Sequence, residues 1–180
     1  MRIISGVYKG KRIHAPKGLP VRPTTDMAKE ALFNILNNGY YLDEISVLDL
    51  FAGTGNISYE FASRGTQEIT SVDANFNCIK FIDRTAKELG FKIVPIKSDV
   101  HKFLGKTIRD FNIIFADPPY NMPMSDFSNI PELVFKNNLL REDGVLILEH
   151  SKHMDLSHLN NFSHQRKYGG SAFSFFENTP

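Results

Sequence analysis

The chain has 180 residues, of which 42% are hydrophobic and 23% are charged, and it contains one cysteine. This length predicts one domain, or one domain with a small appendage, and the composition excludes wholesale disorder. The lone cysteine, Cys78, excludes an internal disulfide framework and favours a reducing compartment. No apolar run approaches the length of a membrane span. We therefore expect a cytoplasmic protein that does not associate with membranes.

The net charge of +1 is distributed unevenly along the chain. Residues 1–25 hold six of the 21 lysines and arginines and no acidic residue, so the other 155 residues hold 15 basic and 20 acidic residues. Such asymmetry is typical of a basic arm that meets a polyanion, but a solvated entry segment has the same composition. The charge pattern alone leaves both interpretations open.

The first 40 residues form one predicted unit. Two short β-like runs, Arg2–Ser5 and Arg12–Ala15, flank a turn-forming segment and predict a hairpin. Prolines and glycines between residues 16 and 23 break regular structure, and Thr25 or Asp26 can then cap a helix that runs to about Asn37. We interpret residues 1–40 as a basic arm with a helix, and residues 41–180 as the main domain.

From Ile45 onward, apolar runs alternate with helical patterns. The predicted strands are Ser46–Phe51, Glu68–Asp73, Ile93–Lys97, Asn112–Asp117 and Val145–Glu149, and the predicted helices are Asn56–Ser63, Asn75–Leu89, Val100–Arg109 and Pro131–Leu139. This alternation predicts an α/β fold with a Rossmann-like, doubly wound and mostly parallel sheet. Two further runs, Phe162–Tyr168 and Ser171–Phe176, flank a glycine pair and predict an antiparallel hairpin at the carboxyl terminus.

The first predicted strand runs into a glycine-containing turn, Phe51-Ala52-Gly53-Thr54-Gly55, and then into a helix. Glycine allows the backbone to approach a ligand closely, and a helix amino end offers N–H groups to polar ligand atoms. A dinucleotide fingerprint would require glycine where Ser58 stands, and Asp49 would repel a pyrophosphate. The pattern fits S-adenosylmethionine better, because that donor carries an ammonium and a sulfonium.

Acidic residues also end the second and third predicted strands. Asp73, followed by Ala74, can accept hydrogen bonds from both ribose hydroxyls of an adenosine, while Asp99 and the N–H of Val100 suit an adenine. An acid at a strand end is, taken alone, more often a helix cap. Acids at the ends of successive strands instead indicate the ligand crevice of an open α/β sheet.

The segment Asp117-Pro118-Pro119-Tyr120 follows the fourth predicted strand. Two prolines fix the backbone and donate no N–H, so the Asp117 carboxylate and a neighbouring carbonyl form a rigid acceptor pair for the hydrogens of a base amine. Tyr120 offers a face on which an extruded base can stack; the alternative is a proline turn with Tyr120 as core filler. The motifs thus assign catalysis to Asp117, Pro118, Pro119 and Tyr120, and donor binding to Asp49, Phe51, Ala52, Gly53, Thr54, Gly55, Asp73, Ala74, Asp99, Val100 and Asp117.

The order of these motifs looks like that of S-adenosylmethionine-dependent amino-methyltransferases acting on nucleic-acid bases. More closely, four segments resemble the RsmD family: Arg2-Ile3-Ile4-Ser5-Gly6, Arg22-Pro23-Thr24-Thr25-Asp26, Lys29-Glu30-Ala31-Leu32-Phe33-Asn34 and Asp49-Leu50-Phe51-Ala52-Gly53. The resemblance covers nearly the whole chain. The chain departs from the family pattern at Met27 and Lys29, where arginine is frequent, at Asn56, where a small residue follows the glycines, and at Asp73, where glutamate is common.

Members of the RsmD family methylate the N2 amine of a guanine in bacterial 16S ribosomal RNA. The resemblance therefore implies a methyltransferase with S-adenosylmethionine as cofactor and with 16S ribosomal RNA as partner, either free or within a small-subunit particle. It also implies a role for the basic arm, in which Lys9, Lys11, Arg12 and Lys17 meet RNA phosphates while Arg22, Thr24 and Thr25 close over the donor or the target base. We expect a monomer.

Alternative functions remain open from the sequence. A DNA adenine-N6 methyltransferase shares the Asp-Pro-Pro-Tyr chemistry, but such enzymes usually carry a sizeable target-recognition domain, for which 180 residues leave no room. A noncatalytic nucleic-acid-binding module could keep the same fold, although the intact glycines and acids argue against it. A nicotinamide dehydrogenase is disfavoured by Ser58. The histidines lack metal-ligand spacing, so we expect no metal.

Overall fold

The computed structural model describes residues 1–19 and 24–178, and within these ranges the chain forms one seven-stranded sheet flanked by helices. The strands are β1 (Ser46–Leu50), β2 (Glu68–Asp73), β3 (Ile93–Lys97), β4 (Phe111–Ala116), β5 (Leu140–Ser151), β6 (Phe162–Tyr168) and β7 (Ser171–Glu177). The helices are α1 (Asp26–Leu36), α2 (Asn56–Ser63), α3 (Phe76–Leu89), α4 (Val100–Leu104) and α5 (Met124–Lys136).

The sheet has the order β3-β2-β1-β4-β5-β7-β6. Strands β1 to β5 pair in parallel, whereas β7 pairs antiparallel with both β5 and β6. The central strand β1 is buried along its whole length, as expected for a strand covered on both faces. The predicted fold class, a doubly wound sheet with an antiparallel carboxyl-terminal hairpin, is confirmed.

Helices cover both faces of the sheet. On one face, side chains of α1, α2 and α3 such as Leu32, Phe61 and Ile82 pack against alternate residues of the strands, and on the other face α4 and α5 pack against the residues between them. The chain order reverses beside β1, whose neighbours are β2 and β4. A crevice forms at such a switch point, outside the carboxyl ends of the strands.

Two helices differ from their predicted bounds by more than one residue. Helix α4 ends at Leu104 instead of Arg109, because its apolar stripe stops there: Val100 and Leu104 are buried, whereas Ile108 is 98% exposed. Helix α5 begins at Met124, seven residues before its predicted start, and contains Pro131 in its interior. Burial of the stripe Phe127, Ile130, Pro131 and Val134 outweighs the cost of the missing proline N–H.

The predicted amino-terminal hairpin is present in a reduced form. Instead of two strands, residues 1–13, which we call the amino-terminal hairpin, make one isolated antiparallel bridge between Arg2 and Arg12, supported by the Ile3 N–H bond to the Lys11 carbonyl at 2.9 Å. Ile3 and Ile13 are buried in the same core as α1 and α2. The hairpin therefore packs onto the main sheet through a shared apolar core.

The amino-terminal hairpin runs along helix α2. Both oxygens of Glu60 accept backbone N–H groups, from Ile4 at 2.8 Å and Ser5 at 3.0 Å, and the Val7 N–H bonds the Ser63 carbonyl at 2.8 Å. Gly6 has a φ of +82°, and a Cβ there would lie 1.8 Å from the Ser63 carbonyl oxygen. Only glycine fits this approach.

The structure also bears on the expected relation to membranes. None of the helices within residues 1–19 and 24–178 is long and apolar enough to cross a bilayer.

Candidate active site

A cavity of about 470 Å³ opens at the carboxyl ends of β1, β2, β3 and β4. Its volume falls in the range of small-molecule and cofactor sites. It brings together thirteen residues predicted from the motifs, namely Asp49, Phe51, Ala52, Gly53, Thr54, Asp73, Ala74, Asp99, Val100, Asp117, Pro118, Pro119 and Tyr120. The sequence motifs did not identify five further lining residues, namely Asn56, Ile57, Asn75, Cys78 and Phe115.

The turn after β1 owes its shape to three left-handed residues. Phe51, Gly53 and Gly55 have φ values of 56°, 53° and 83°, so the strand ends at Leu50, one residue before its predicted end. A Cβ at Gly55 would lie 2.8 Å from the ring of Tyr59, so both conformation and space require glycine there. Gly55 does not line the cavity itself but begins α2 as its N-cap.

Asp73 organises this turn from the neighbouring strand. One carboxylate oxygen accepts the Gly53 N–H at 2.8 Å and the other accepts the Asn75 N–H at 2.8 Å. Each carboxylate oxygen has a second lone pair, so both can still accept a hydroxyl from a ligand. Asp73 therefore has a structural role that the sequence did not reveal, and its binding of ribose stays a prediction.

Asp49 lies beneath the turn and is 2% exposed. Its Oδ2 accepts hydrogen bonds from the Ser58 N–H at 3.2 Å and the Ser58 hydroxyl at 2.5 Å, and that hydroxyl also lies 2.7 Å from Ser71 Oγ. Burial raises the pKa of Asp49 to about 7, although the Ser58 hydrogen bonds act in the opposite direction. Ser58, the residue that argues against dinucleotide binding, thus positions the acid that faces the cavity.

Asp99 serves partly as a helix cap. Its Oδ1 accepts the Lys102 N–H at 2.9 Å, at the start of α4, while the residue also lines the cavity. The cap and ligand interpretations of this acid are therefore compatible, because one oxygen remains for a ligand.

The Asp117–Tyr120 segment leaves β4 as a rigid turn. The Asp117 N–H bonds the Leu50 carbonyl at 3.4 Å, and the Pro119 carbonyl accepts the Met122 N–H at 2.9 Å. The Pro119 carbonyl thus takes part in the turn, and the Pro118 carbonyl, next to Asp117 in the chain, is the one that we pair with the Asp117 carboxylate as acceptors for a ligand. Tyr120 is 58% exposed, which fits a stacking face and contradicts the interpretation of this residue as core filler.

Among the described residues of the segment 1–40, Thr24 lines the cavity. It is 8% exposed; its carbonyl accepts the Asn56 Nδ2 at 3.1 Å and its hydroxyl donates to Glu149 Oε2 at 2.6 Å. Thr25, predicted beside it, instead caps α1 by accepting the Ala28 N–H at 3.2 Å. Arg22, the third residue of this predicted group, lies outside the described residues.

A buried lysine joins α1 to α2. Lys29 is 0% exposed, and its Nζ lies 2.6 Å from the Arg2 carbonyl, 2.9 Å from Asn56 Oδ1 and 3.1 Å from Glu60 Oε2. Burial lowers the pKa of Lys29, while the charge of Glu60 opposes that shift. Two departures from the family pattern, Lys29 and Asn56, are therefore direct hydrogen-bond partners at the start of α2, just after the glycine turn.

The predicted RNA-binding lysines and arginine lie at different distances from the cavity. Tyr8, between Lys9 and the hairpin bridge, bonds the Leu89 carbonyl at the end of α3, so Lys9 and Lys11 lie at the edge of the sheet opposite the cavity. Arg12 lies near the open end of the hairpin, at the bridge with Arg2. Lys17 lies near the start of α3, on the cavity side. All four side chains are exposed.

Lys17 shares its surroundings with basic residues that the sequence interpretation did not include. A groove of about 310 Å³ is lined by Lys17, Lys80 and Arg84 together with the ring of Phe81.

Across residues 1–19 and 24–178 there is no group of three or more histidine, cysteine, aspartate or glutamate side chains that could hold a metal ion.

The family model described as Conserved hypothetical protein 95 matches residues 1–177. The chain belongs to this family. A curated relative from Buchnera aphidicola subsp. Baizongia pistaciae, named Ribosomal RNA small subunit methyltransferase D, is 30% identical over 150 residues, which cover 83% of this chain and 75% of the relative. The resemblance to the RsmD family that the sequence predicted is confirmed.

Solved structures agree on the fold. A hypothetical protein from Thermus thermophilus superposes with a TM-score of 0.84 at 24% identity and covers 99% of both chains. Coclaurine N-methyltransferase, solved in complex with N-methylheliamine and SAH, superposes with a TM-score of 0.56 at 19% identity over 71% of this chain and 36% of that one. At these identities the superpositions establish a shared architecture only.

Proposed function

We propose that this protein transfers the methyl group of S-adenosylmethionine to the exocyclic N2 amine of a guanine in 16S ribosomal RNA. Methylation of small-subunit ribosomal RNA follows from the family to which the chain belongs and from the name of its curated relative. The choice of donor, of guanine and of its N2 atom is our proposal.

The observation that carries the proposal is the rigid acceptor pair beside a cofactor-sized cavity. Asp117 and Pro118 line the cavity, and Pro119 fixes the turn through its hydrogen bond from Met122. An aromatic base amine is a weak nucleophile, because its lone pair conjugates with the ring. When Asp117 and the Pro118 carbonyl each accept one amine hydrogen, the nitrogen lone pair is directed at the donor methyl group.

The cavity fits S-adenosylmethionine, whose sulfonium supplies an electrophilic methyl group when it is bound. Asp73 and Asp99 line the cavity, and we assign them to ribose and adenine, while the glycine turn permits close approach of the backbone. Asp49 provides a carboxylate on the cavity wall that suits a cationic ligand. Asp117 stabilises the positive charge that develops on the amine as the new bond forms.

RNA binding is assigned to residues around the cavity mouth. Tyr120 presents a half-exposed ring on which an extruded base can stack, worth roughly 1–3 kcal/mol. Lys17 lies on the cavity side and can contact a phosphate near the target base. We further propose that the protein acts as a monomer in the cytoplasm, on 16S ribosomal RNA or on the small-subunit particle that contains it.

Incubation with isotope-labelled donor tests the proposal. Unmodified small-subunit particles, free 16S ribosomal RNA and DNA are offered separately, and the labelled base is identified by digestion and mass spectrometry. We expect label on guanine N2 in at least one of the two RNA substrates and none in DNA. Label in DNA adenine alone would establish the rival adenine-N6 activity, and donor binding without any transfer would establish a noncatalytic module.

A further inference from the structure

A second carboxylate, Glu149, lies beside Asp117 on the adjacent strand. In the register of β4 and β5, Ala116 pairs with Leu148, so the next positions along the two parallel strands are Asp117 and Glu149. Their neighbours Phe115 and Ile147 belong to the core on the α1 side, and alternation along a strand returns Asp117 and Glu149 to that side. The two acids therefore sit next to each other on one face.

Glu149 lies on the side of Asp117 opposite the acids assigned to the donor. Asp49 lies in β1, Asp73 ends β2 and Asp99 follows β3, and these three strands lie on one side of β4. Strand β5 lies on the other side. A base that extends from Asp117 away from the donor acids would therefore lie over β4 and β5.

The position of Glu149 is set by Thr24, which lines the cavity. The Thr24 hydroxyl donates to Glu149 Oε2 at 2.6 Å, and the Glu149 residue is 6% exposed. A carboxylate held in this way has a defined orientation, and its burial strengthens its electrostatic interactions with polar groups placed beside it. These two properties are those of a group that discriminates between ligands.

We propose that Glu149 reads the Watson–Crick edge of the target base by accepting the guanine N1–H, and so selects guanine over adenine. The inference rests on the proposed methylation of a base amine by Asp117. Guanine presents an N1–H next to its N2 amine, so one carboxylate can hold each group. Adenine presents a lone pair at N1, which a carboxylate repels, because an ionised glutamate can only accept.

The test compares two bases that share the same amine. Once the methylated guanine has been mapped by mass spectrometry, 2-aminopurine is placed at that nucleotide; it keeps the exocyclic amine but carries a lone pair at N1. For the unaltered protein we expect kcat/KM to be lower with 2-aminopurine by on the order of 100-fold or more. In Glu149→Gln the amide can donate to that lone pair, so the ratio should shrink by at least about tenfold.

Thr24→Val provides the matched control, because it removes the hydroxyl that holds Glu149 but keeps the carboxylate. We expect this variant to keep most of the preference for guanine, because the retained carboxylate still repels the N1 lone pair, so that the guanine-to-2-aminopurine ratio falls by less than about threefold. If Glu149→Gln lowers both rates equally, Glu149 acts only by holding Thr24 and the inference is wrong. Calorimetric donor binding and thermal unfolding confirm that each variant is folded.

A second substitution keeps the inference testable if Glu149→Gln does not fold. Glu149→Asp retains the charge but withdraws it by one methylene, so the preference for guanine should again shrink while donor affinity stays constant. An unchanged preference in that variant overturns the inference. If the unaltered protein labels no guanine N2 at all, the proposed function fails instead, and the two failures are thereby distinguished.

Discussion

The cavity edge and the amino-terminal hairpin differ in how their sequence relates to their position in space. The cavity acids Asp49, Asp73, Asp99 and Asp117 are spread over nearly 70 residues but converge, because each stands at the end of a parallel strand. The hairpin cations are close in sequence but spread out, because the hairpin runs the length of α2, about 12 Å. Proximity in the fold follows from topology, and clustering along the chain does not imply it.

The sharpest way to test the role of the cavity edge is to remove the Asp117 carboxylate. In Asp117→Ala the amine loses one of its two acceptors and the charge that stabilises the transition state. We expect kcat to fall by about 1000-fold, while the donor dissociation constant changes by less than about twofold. Stopped-time label incorporation measures the first quantity and calorimetry the second.

Asp83→Ala is the control, because this exposed acid on α3 pairs with Lys87 at the surface. It should leave both quantities unchanged. Lost donor affinity with normal turnover at saturating donor would contradict the role assigned to Asp117 and transfer it to donor binding.

The second largest effect is on stability, and it concerns the contact that Lys29 makes between the amino-terminal hairpin and α2. In Lys29→Met the buried Glu60 loses one of its two cationic partners, and the Arg2 carbonyl and Asn56 lose a donor. We expect the free energy of unfolding to fall by about 3 kcal/mol, since breaking a buried ion pair leaves a charge incompletely compensated. Chemical denaturation measures this change.

Lys87→Met is the matched control for Lys29→Met, because its ion pair with Asp83 is exposed. It should cost less than about 0.5 kcal/mol. Equal effects of the two substitutions would show that the buried network is not what attaches the hairpin to α2.

A glycine comparison tests whether the turn after β1 is shaped by conformation alone. Gly55 and Gly90 both have positive φ, but a Cβ meets the Tyr59 ring at 2.8 Å only at Gly55, whereas the space at Gly90 is open. We expect Gly90→Ala to cost about 1 kcal/mol of unfolding free energy, and Gly55→Ala to cost about 2–3 kcal/mol and to weaken donor binding. Equal costs would indicate that backbone strain dominates and that the ring moves aside.

The sequence predicts the cavity well because the ends of the strands can be located from it. Acids lie at or next to the ends of these strands, as Asp49 does in Ser46–Leu50 and Asp73 does in Glu68–Asp73, and parallel pairing then brings them together. Helix bounds are predicted less well where tertiary burial outweighs local preference, as at Pro131 inside α5. The sequence around Pro131 carries no information about the sheet residues against which α5 packs.

Long-range polar partners are the part that the sequence could not supply. The Lys29–Glu60 pair and the Thr24–Glu149 hydrogen bond join residues 31 and 125 positions apart, and no periodicity relates them. Departures from the family pattern at Lys29 and Asn56 were the one available signal, and they prove to contact each other. Pairs of departures are therefore worth examining together.

The raised pKa of Asp49 predicts how donor binding depends on pH. Because burial raises its pKa to about 7, the donor-free protein holds a proton on Asp49 below neutral pH, and a cationic ligand favours the ionised form. Donor affinity should therefore rise by about tenfold between pH 5.5 and 7.5, with release of a proton that calorimetry in buffers of different ionisation enthalpy detects. Asp49→Asn should bind more weakly and lose this dependence, whereas a dependence retained in Asp49→Asn would place it on another group.

The raised pKa of Asp49 also predicts whether the donor-free protein gains or loses stability as the pH rises. A carboxyl group whose pKa is raised by folding binds its proton more tightly in the folded state. The donor-free protein should therefore lose stability as the pH rises from about 4, the unfolded value, to about 7. In Asp49→Asn this loss should be absent from the denaturation midpoints measured over that range.

The smallest expected effect is on RNA binding, and it compares Lys17 with Lys9, two cations that lie near opposite edges of the sheet. Lys17 lies near the start of α3 on the cavity side, beside Lys80 and Arg84, while Lys9 lies at the opposite edge of the sheet. Both are exposed single cations, so Lys17→Gln and Lys9→Gln change the net charge equally. If RNA follows the cavity edge, Lys17→Gln should weaken binding of 16S ribosomal RNA about threefold to fivefold and reduce its salt dependence by about one ion, whereas Lys9→Gln should change neither by more than about 1.5-fold. Filter binding across a salt series measures both quantities, and equal losses would mean that the RNA wraps around the molecule to the turn of the hairpin.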